Sequence, residues 1–242
     1  MGVDKNYYKF MISGDSISRG VIYDEQKGKY AVLAENYVSL LQTHLTGAVY
    51  NISKFGATIT KGVTKLNQAF NKNTADVVVI EYGGNDCDFD WLKIAQNPND
   101  MHLPKTDINT FEQLLKDTLD FLKSKKSIPV LLTLPPLNAD AYFKWVSNNN
   151  PLAESNILQW LGSITKIYWW QERYNAAIIK VAQETETKWI DIRGAFLQHT
   201  DFTKLLCKDG IHPNKEGHAM IANKILTYVK QYHSPLLLSS DS

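Results

Sequence analysis

Short runs of apolar residues alternate along the chain with longer stretches in which apolar side chains recur every three or four positions. Short continuous runs are typical of buried strands, and the longer spacing is typical of amphipathic helices. Five runs are predicted as strands, at residues 9–13, 49–52, 76–82, 128–134 and 189–192. Five stretches are predicted as helices, at residues 31–45, 58–70, 110–126, 168–186 and 214–232.

The run at residues 76–82 (DVVVIEY) is apolar at nearly every position. Such a run indicates a strand that is buried on both faces, as in a parallel sheet. Because strands alternate with helices, we predict an α/β fold: a roughly five-stranded parallel sheet with helices on both faces. No internal repeat or low-complexity linker divides the sequence, so we expect a single domain over residues 1–242.

Two long segments, residues 86–109 and 135–167, interrupt the alternation of strands and helices. Long segments inserted in a compact domain often form lids or walls of a binding site. The second segment is rich in aromatic residues, and Tyr142 and Trp145 are candidate substrate contacts. We expect at least one segment to line the site; the alternative is a surface excursion with its own small apolar cluster.

Charge and composition exclude several classes of function. The chain has 26 Lys and Arg against 25 Asp and Glu, a net charge of +1, so the sequence has no overall basic charge to hold a polyanion, and we expect no nucleic acid as its main partner. No apolar run approaches the roughly 18 residues that a membrane-spanning helix needs. Residues 1–9 (MGVDKNYYK) are polar and unlike a signal peptide, which predicts a cytoplasmic protein, or a secreted one if a leader has been removed.

The sequence predicts neither a metal site nor a cofactor. His218 follows His212 by six positions, whereas two metal ligands on one helix face are four apart. Cys87 and Cys207 lack the CxxC spacing of a zinc or redox site. The Gly28-Lys29 pair lacks the first glycine and the Ser or Thr of a phosphate-binding P-loop.

Polar or glycine-rich segments follow three of the predicted strands and precede the last predicted helix. They are GDSIS at residues 14–18, NISKFG at 51–56, GGND at 83–86 and DGIHPN at 209–214. In open parallel sheets, ligands bind beyond the carboxyl ends of the strands. We therefore expect these four segments to meet at one edge of the sheet.

The side chains in these segments fit acyl transfer. Ser16 is a candidate nucleophile and needs a base to take its proton. His212 suits that role because the unperturbed pKa of histidine, about 6.5, lies close to neutral pH. Asp209 can hold the imidazole in the required tautomer. The backbone N–H groups of Ser16 and Gly56 and the side-chain amide of Asn85 can donate to the oxyanion.

Each of these side chains also has a purely structural explanation. Ser16 can cap the first helix, Asn85 can stabilise a turn, and Asp15 can accept backbone N–H groups at the helix start. Asp86 is an alternative to Asp209 as the acid partner of the histidine. A backbone carbonyl can also orient a histidine, so loss of Asp209 is expected to cost less than loss of the nucleophile or base.

The four segments occur in the order found in a known family. Together they resemble the sequence blocks of the SGNH hydrolases, also called GDSL esterases/lipases. The resemblance runs from residue 14 to residue 214 and so spans nearly the whole chain. Ile17 stands in place of the leucine in the family name, and Gly84 in place of the threonine that many members carry.

The resemblance implies a flavodoxin-like, three-layer α/β/α sandwich. It implies Ser16 as nucleophile, His212 and Asp209 as its triad partners, and Ser16, Gly56 and Asn85 as oxyanion donors. Known activities of the family include those of lipases, carbohydrate deacetylases, thioesterases and lysophospholipases.

We therefore expect a serine esterase that acts on a small-molecule ester through an acyl-enzyme, with a preference for short acyl groups such as acetyl. A lipase, lysophospholipase or acyl-thioesterase with longer acyl chains is the alternative. A catalytically silent binding module on the same fold is a non-enzymatic alternative. A flavodoxin-like nucleotide binder is a third, although the acidic GDS turn suits an anion poorly.

Overall fold

The computed structural model describes residues 7–238. The strands in this range are β1 (Tyr8–Gly14), β2 (Val21–Asp24), β3 (Lys29–Val32), β4 (Gly47–Asn51), β5 (Val77–Glu81), β6 (Ile128–Leu132) and β7 (Lys188–Ile190). The α-helices are α1 (Ser16–Arg19), α2 (Tyr37–Gln42), α3 (Ile59–Phe70), α4 (Trp91–Gln96), α5 (Ile108–Ser124), α6 (Ala139–Val146), α7 (Pro151–Leu161), α8 (Thr165–Glu184), α9 (Ile192–Leu197) and α10 (Lys215–Tyr232).

Five of the strands form one parallel sheet in the order β4-β1-β5-β6-β7. The central strand β5 is buried along its whole length, as its apolar sequence predicts. The predicted α/β fold with a five-stranded parallel sheet is therefore confirmed. The five predicted strands correspond to β1, β4, β5, β6 and β7, with ends that differ by a few residues.

Alternate residues of the strands enter two separate cores, because successive side chains of a strand point to opposite faces. Met11 and Val78 join a core with α3, α5 and α8 on one face of the sheet. Phe10 and Ile12 join a core with α2, α9 and α10 on the other face. The sheet thus lies between two helical layers, which is the expected α/β/α sandwich.

Helix α5 shows how the sequence produces this layer. The Asp107 side chain accepts the backbone N–H groups of Asn109 and Thr110 and so caps the helix start. Apolar side chains then recur at helical spacing and are fully buried: Phe111, Leu115, Leu119 and Leu122. Each such burial contributes about 1.5–3 kcal/mol to stability.

The helix predicted over residues 31–45 is wrong in its first half. Residues 31 and 32 lie in β3, which pairs with β2 as an antiparallel hairpin outside the main sheet. The helix α2 begins only at Tyr37, because the Asn36 side chain accepts the backbone N–H groups of Val38 and Ser39 and fixes the start there.

The two segments that interrupt the alternation contain helices that the sequence patterns did not predict. The first segment contains α4, and the second contains α6 and α7. Their apolar residues form a third cluster, separate from the two sheet cores, which includes Phe89, Trp91, Tyr142 and Ile157. The Asn156 side chain of α7 donates to a backbone carbonyl of α4, so the segments support each other.

Residues 1–6, on which the expectation about a signal peptide depends, lie outside the described residues. Within residues 7–238, no helix has the length and apolar character needed to cross a membrane.

Two carboxyl groups are buried side by side below the carboxyl edge of the sheet. Gly14 of β1 pairs with Glu81 of β5, and Asp15 follows directly. Burial raises the pKa of both groups, and the charge of Asp15 raises that of Glu81 further. Asp15 accepts two N–H groups, whereas Glu81 Oε1 is buried without a hydrogen-bond partner. We infer that Glu81 is the member that keeps its proton.

This pair gives a testable pH dependence of stability. Because the pKa of Glu81 is raised on folding, the folded protein binds more protons than the unfolded chain above the ordinary carboxyl range. The contribution of Glu81 to stability is therefore most favourable in acid and falls as the pH rises, by up to about 1.4 kcal/mol per pH unit. Glu81→Gln removes this loss and is expected to gain stability relative to the wild type as the pH rises above the ordinary carboxyl range.

Urea unfolding at several pH values measures the difference between the two proteins. Glu25→Gln, in the exposed turn of the hairpin, is the matched control and is expected to show no such trend. A Glu81→Gln difference that stays constant with pH would contradict a proton held at this position.

Candidate active site

The register of the parallel sheet brings the chemically interesting segments to one edge. Ile12 of β1 pairs with Asn51 of β4, and Gly14 pairs with Glu81 of β5. The segments that follow these strands therefore leave the sheet side by side. A hydrogen bond of 3.1 Å from the Lys54 backbone N–H to the Gly14 carbonyl links two of them directly.

Ser16 is the first residue of α1 and lies immediately beyond the end of β1. The helix cap is Asp15 and not Ser16, because the Asp15 carboxylate accepts the Ile17 backbone N–H at 2.8 Å. The Ser16 hydroxyl is therefore not used to cap the helix. It lies 2.9 Å from Nε2 of His212, within hydrogen-bonding distance.

The His212 ring joins Ser16 to Asp209. Nδ1 of His212 lies 2.6 Å from Asp209 Oδ2, while Asp209 Oδ1 accepts the backbone N–H groups of Ile211 and His212 at 3.1 Å each. Burial alone would raise the pKa of Asp209, but these hydrogen bonds and the His212 charge outweigh it and lower the pKa. Asp209 is thus ionised at neutral pH and accepts a hydrogen bond from the Nδ1–H group of His212.

The loop that carries His212 is fixed at both ends. The Cys207 backbone N–H donates to the His212 carbonyl at 2.7 Å, and the Asn214 side chain caps α10 directly after the loop. Gly210 turns the loop with a φ of 77°, a conformation that favours glycine. The Gly210 carbonyl accepts the Asn138 backbone N–H, so the second inserted segment holds the loop in place.

Asn85 and Gly56 face the same space as Ser16. The Asn85 side-chain amide donates one N–H to Asp15 Oδ2 at 2.9 Å, which fixes its orientation. Gly56 has a φ of 66°, a backbone conformation that favours glycine. No atom lies within 4 Å of the place that a Cβ atom would occupy, so the adjacent space is open to a ligand.

Other polar residues of these segments have structural partners. Asn51 donates to the Ser18 carbonyl at 2.8 Å and so ties β4 to α1. Asp86 accepts the Ile59 backbone N–H at the start of α3, and burial raises its pKa to about 6. His218 stacks on Tyr37, and burial lowers its pKa to about 4. The Asp86 carboxylate therefore contacts the start of α3, and Asp209 is the carboxylate that contacts His212.

No group of three or more His, Cys, Asp or Glu side chains within residues 7–238 is arranged to hold a metal ion.

A cavity of about 610 Å³ has Ser16 and His212 in its wall. Tyr142 and Trp145 also line it, as do residues from both inserted segments. The Tyr142 hydroxyl donates to Asp88 at 2.8 Å, so its ring edge is held in the wall. The role of Tyr142 and Trp145 as substrate contacts stays a prediction.

Two sets of aromatic side chains occupy different parts of this region. The histidine-side group consists of Tyr23, Tyr30, Phe55 and Trp145, which contact one another and reach the His212 ring. The insertion group consists of Phe89, Trp91 and Trp160 of the inserted segments together with Trp170 of α8, and their rings all contact Phe89 or one another. Its first two members follow Asn85 closely in sequence.

Sequence reasoning missed Tyr30 and Phe55. The Tyr30 ring centroid lies 5.2 Å from that of His212, and the Phe55 ring stacks at 6.2 Å with an interplanar angle of 12°. Tyr30 lies in the β2–β3 hairpin. The available sequence pattern for this hairpin was two short runs of alternating apolar and polar residues around a polar turn that contains Gly28. No local pattern marked Phe55, because its position depends on how the loop after β4 folds.

Comparison with known structures shows the same fold. A lipase/acylhydrolase from Enterococcus faecalis aligns with a TM-score of 0.66 and 19% identity, over 97% of this chain and 100% of that one. Axe2, an acetylxylan esterase from Geobacillus stearothermophilus, aligns with a TM-score of 0.61 and 19% identity, over 92% and 94% of the two chains.

Sequence comparison identifies the family. The GDSL esterase/lipase WDL1 of Oryza sativa subsp. japonica is 23% identical over 228 residues, which cover 92% of this chain and 77% of the relative. The model of the GDSL-like Lipase/Acylhydrolase family matches residues 12–220. The four sequence blocks, the shared fold and this match agree: the chain belongs to the GDSL-like lipase/acylhydrolase family and is a carboxylic ester hydrolase.

Proposed function

We propose that the protein is a serine esterase in which Ser16, His212 and Asp209 form the catalytic triad. The observation that carries this proposal is the unbroken hydrogen-bond chain from Ser16 Oγ through the His212 ring to Asp209 Oδ2. The nucleophile, base and orienting acid are each within hydrogen-bonding distance of the next, which is the geometry that activates a serine.

The reaction proceeds in two halves. His212 Nε2 takes the Ser16 proton as Oγ attacks the ester carbonyl, and the imidazolium is stabilised by the ionised Asp209. The backbone N–H groups of Ser16 and Gly56 and the Asn85 amide donate to the oxyanion. His212 then protonates the leaving alcohol, which leaves an acyl group on Ser16, and water activated by His212 releases the acid.

We propose that the preferred substrates are esters of short acyl groups such as acetyl. The alcohol must lie beside His212, which protonates it, and there the histidine-side aromatic group can pack against a ring or polyol. The fold likeness to an acetylxylan esterase is consistent with such an alcohol. The size of the cavity and the insertion aromatic group favour a second candidate, an ester or thioester with a longer acyl chain.

Replacing Ser16 or His212 is expected to abolish ester turnover. Ser16→Ala removes the nucleophile, and His212→Ala removes the base, so each should lose nearly all hydrolysis of p-nitrophenyl acetate. Ser124→Ala, at the exposed end of α5, is the control and should retain wild-type rates. Wild-type turnover by purified Ser16→Ala would refute the mechanism. A folded wild type that hydrolyses no ester would favour the binding-module alternative.

Asn85→Ala is expected to lower kcat by roughly 10²–10³, the usual cost of losing one oxyanion donor. Asn67→Ala, an exposed position in α3, provides a control for the same change of residue type. Steady-state kinetics of the purified variants measure both effects. A loss below about threefold at Asn85 would exclude it as an oxyanion donor.

Acyl-chain preference separates the two candidate substrate classes. Across p-nitrophenyl esters from acetyl to palmitoyl, we expect the highest kcat/KM with acetyl or butyryl. With the acetyl ester, Trp145→Ala should lower kcat/KM by roughly three- to tenfold, and more than Trp160→Ala, since the nitrophenyl group lies beside His212. A maximum at eight carbons or longer, with the larger loss in Trp160→Ala, would support the longer acyl chain.

A further inference from the structure

A second groove adjoins the cavity on the histidine side. Its volume is about 830 Å³, and it lies between the β2–β3 hairpin and the exposed face of α3. Tyr30 and Phe55 line both the groove and the cavity. These two rings also contact the His212 ring, so the groove begins where the catalytic histidine is covered.

Four cationic side chains line this groove, and no acidic residue is among its described lining residues. They are Arg19, Lys54, Lys61 and Lys65. None of the four has an ion-pair partner within residues 7–238, although the chain as a whole is almost neutral. Partial burial and the nearby charges of Arg19 and Lys54 lower the pKa of Lys65, in keeping with the place of all three side chains in the lining of one groove.

The two lysines on α3, Lys61 and Lys65, do not stabilise their own helix. Lys61 lies in the first turn of α3, where the helix dipole disfavours a cation. Lys65 follows four positions later on the same face, and like charges at this spacing repel each other. The mutual repulsion would be relieved by an anion bound between them.

The groove also lies on the side where the leaving alcohol must be. His212 Nε2 protonates that alcohol, so the alcohol lies next to the rings of Tyr30 and Phe55. Arg19 is one helical turn beyond Ser16 in α1, a separation of roughly 5–6 Å between their Cβ atoms. An alcohol a few atoms longer than the ester oxygen can therefore reach the first cation.

We propose that this groove binds an anionic group, a phosphate or a carboxylate, on the alcohol part of the substrate. The inference rests on the proposed esterase function and specifies its substrate class: an acylated alcohol that carries a negative charge, such as a polyol phosphate or a sugar acid. Lys61 and Lys65 provide the charge at the far side of the groove, and Arg19 provides it near the ester.

Matched esters test this proposal. The acetyl esters of glycerol, glycerol 3-phosphate and glyceric acid share the acyl group and differ in the charge of the alcohol. The wild type, at low salt, is expected to show at least about a tenfold higher kcat/KM for one or both anionic esters than for the neutral ester. The ratio should fall at 0.5 M salt, because salt screens exposed charges. The two anionic esters distinguish phosphate from carboxylate.

In Lys61→Gln/Lys65→Gln the ratio of anionic to neutral ester should fall to about two. Lys224→Gln/Lys230→Gln removes the same charge from α10, on the opposite face of the sheet, and should keep the wild-type ratio. A ratio near one for both anionic esters in the wild type would overturn the proposal, as would equal ratios in the two double variants.

If no ester is hydrolysed, the proposed esterase function fails separately from the groove. Calorimetric binding of glycerol 3-phosphate to the wild type, lost in Lys61→Gln/Lys65→Gln, would then still support an anion site. Equal or absent binding in both proteins would overturn it.

Discussion

The hydrogen bond between Ser16 Oγ and His212 Nε2 joins two residues that are 196 positions apart in sequence, and most of the architecture serves to bring them together. Ser16 is placed by the end of β1, and His212 by the loop that precedes α10. These elements belong to opposite ends of the chain and meet because β1 is a strand of the parallel sheet and α10 packs on one face of that sheet. A hydrogen bond of 2.9 Å tolerates little movement of Ser16 relative to His212, so the sheet must hold the two residues rigidly for the site to exist.

The Asp15 carboxylate accepts two of the hydrogen bonds that hold the site together. It caps α1, which frees the Ser16 hydroxyl, and it also accepts a hydrogen bond from the Asn85 amide. The buried Glu81 next to it accepts the Ser18 hydroxyl at 2.8 Å, and Ser18 in turn contacts Tyr37. Burying two carboxyl groups costs stability. The cost accompanies a site in which the candidate nucleophile Ser16 and the candidate oxyanion donor Asn85 are held in place by Asp15.

The sequence predicted most of the fold because its strands are strongly apolar and its sheet helices have regular stripes. It failed where tertiary contacts override local pattern: the 31–45 stretch contains apolar residues at helical spacing, yet Ala31 and Val32 pair across a hairpin. The candidate triad and oxyanion residues could be proposed from the sequence because strand ends and sequence blocks marked them. The aromatic-rich segment 135–167 was expected to line the site, and Tyr142 and Trp145 do line the cavity. Phe55 and the basic groove could not be predicted, since Phe55, Arg19 and Lys65 meet only after folding.

Covalent labelling tests the central claim, that Ser16 is the activated nucleophile, without any assumption about the substrate. A fluorophosphonate reacts only with a serine whose proton is taken by a base, so the folded wild type should gain one adduct, and peptide mapping should locate it at Ser16. An adduct at another serine, or none in folded protein, would contradict the account that the His212 contact activates this residue.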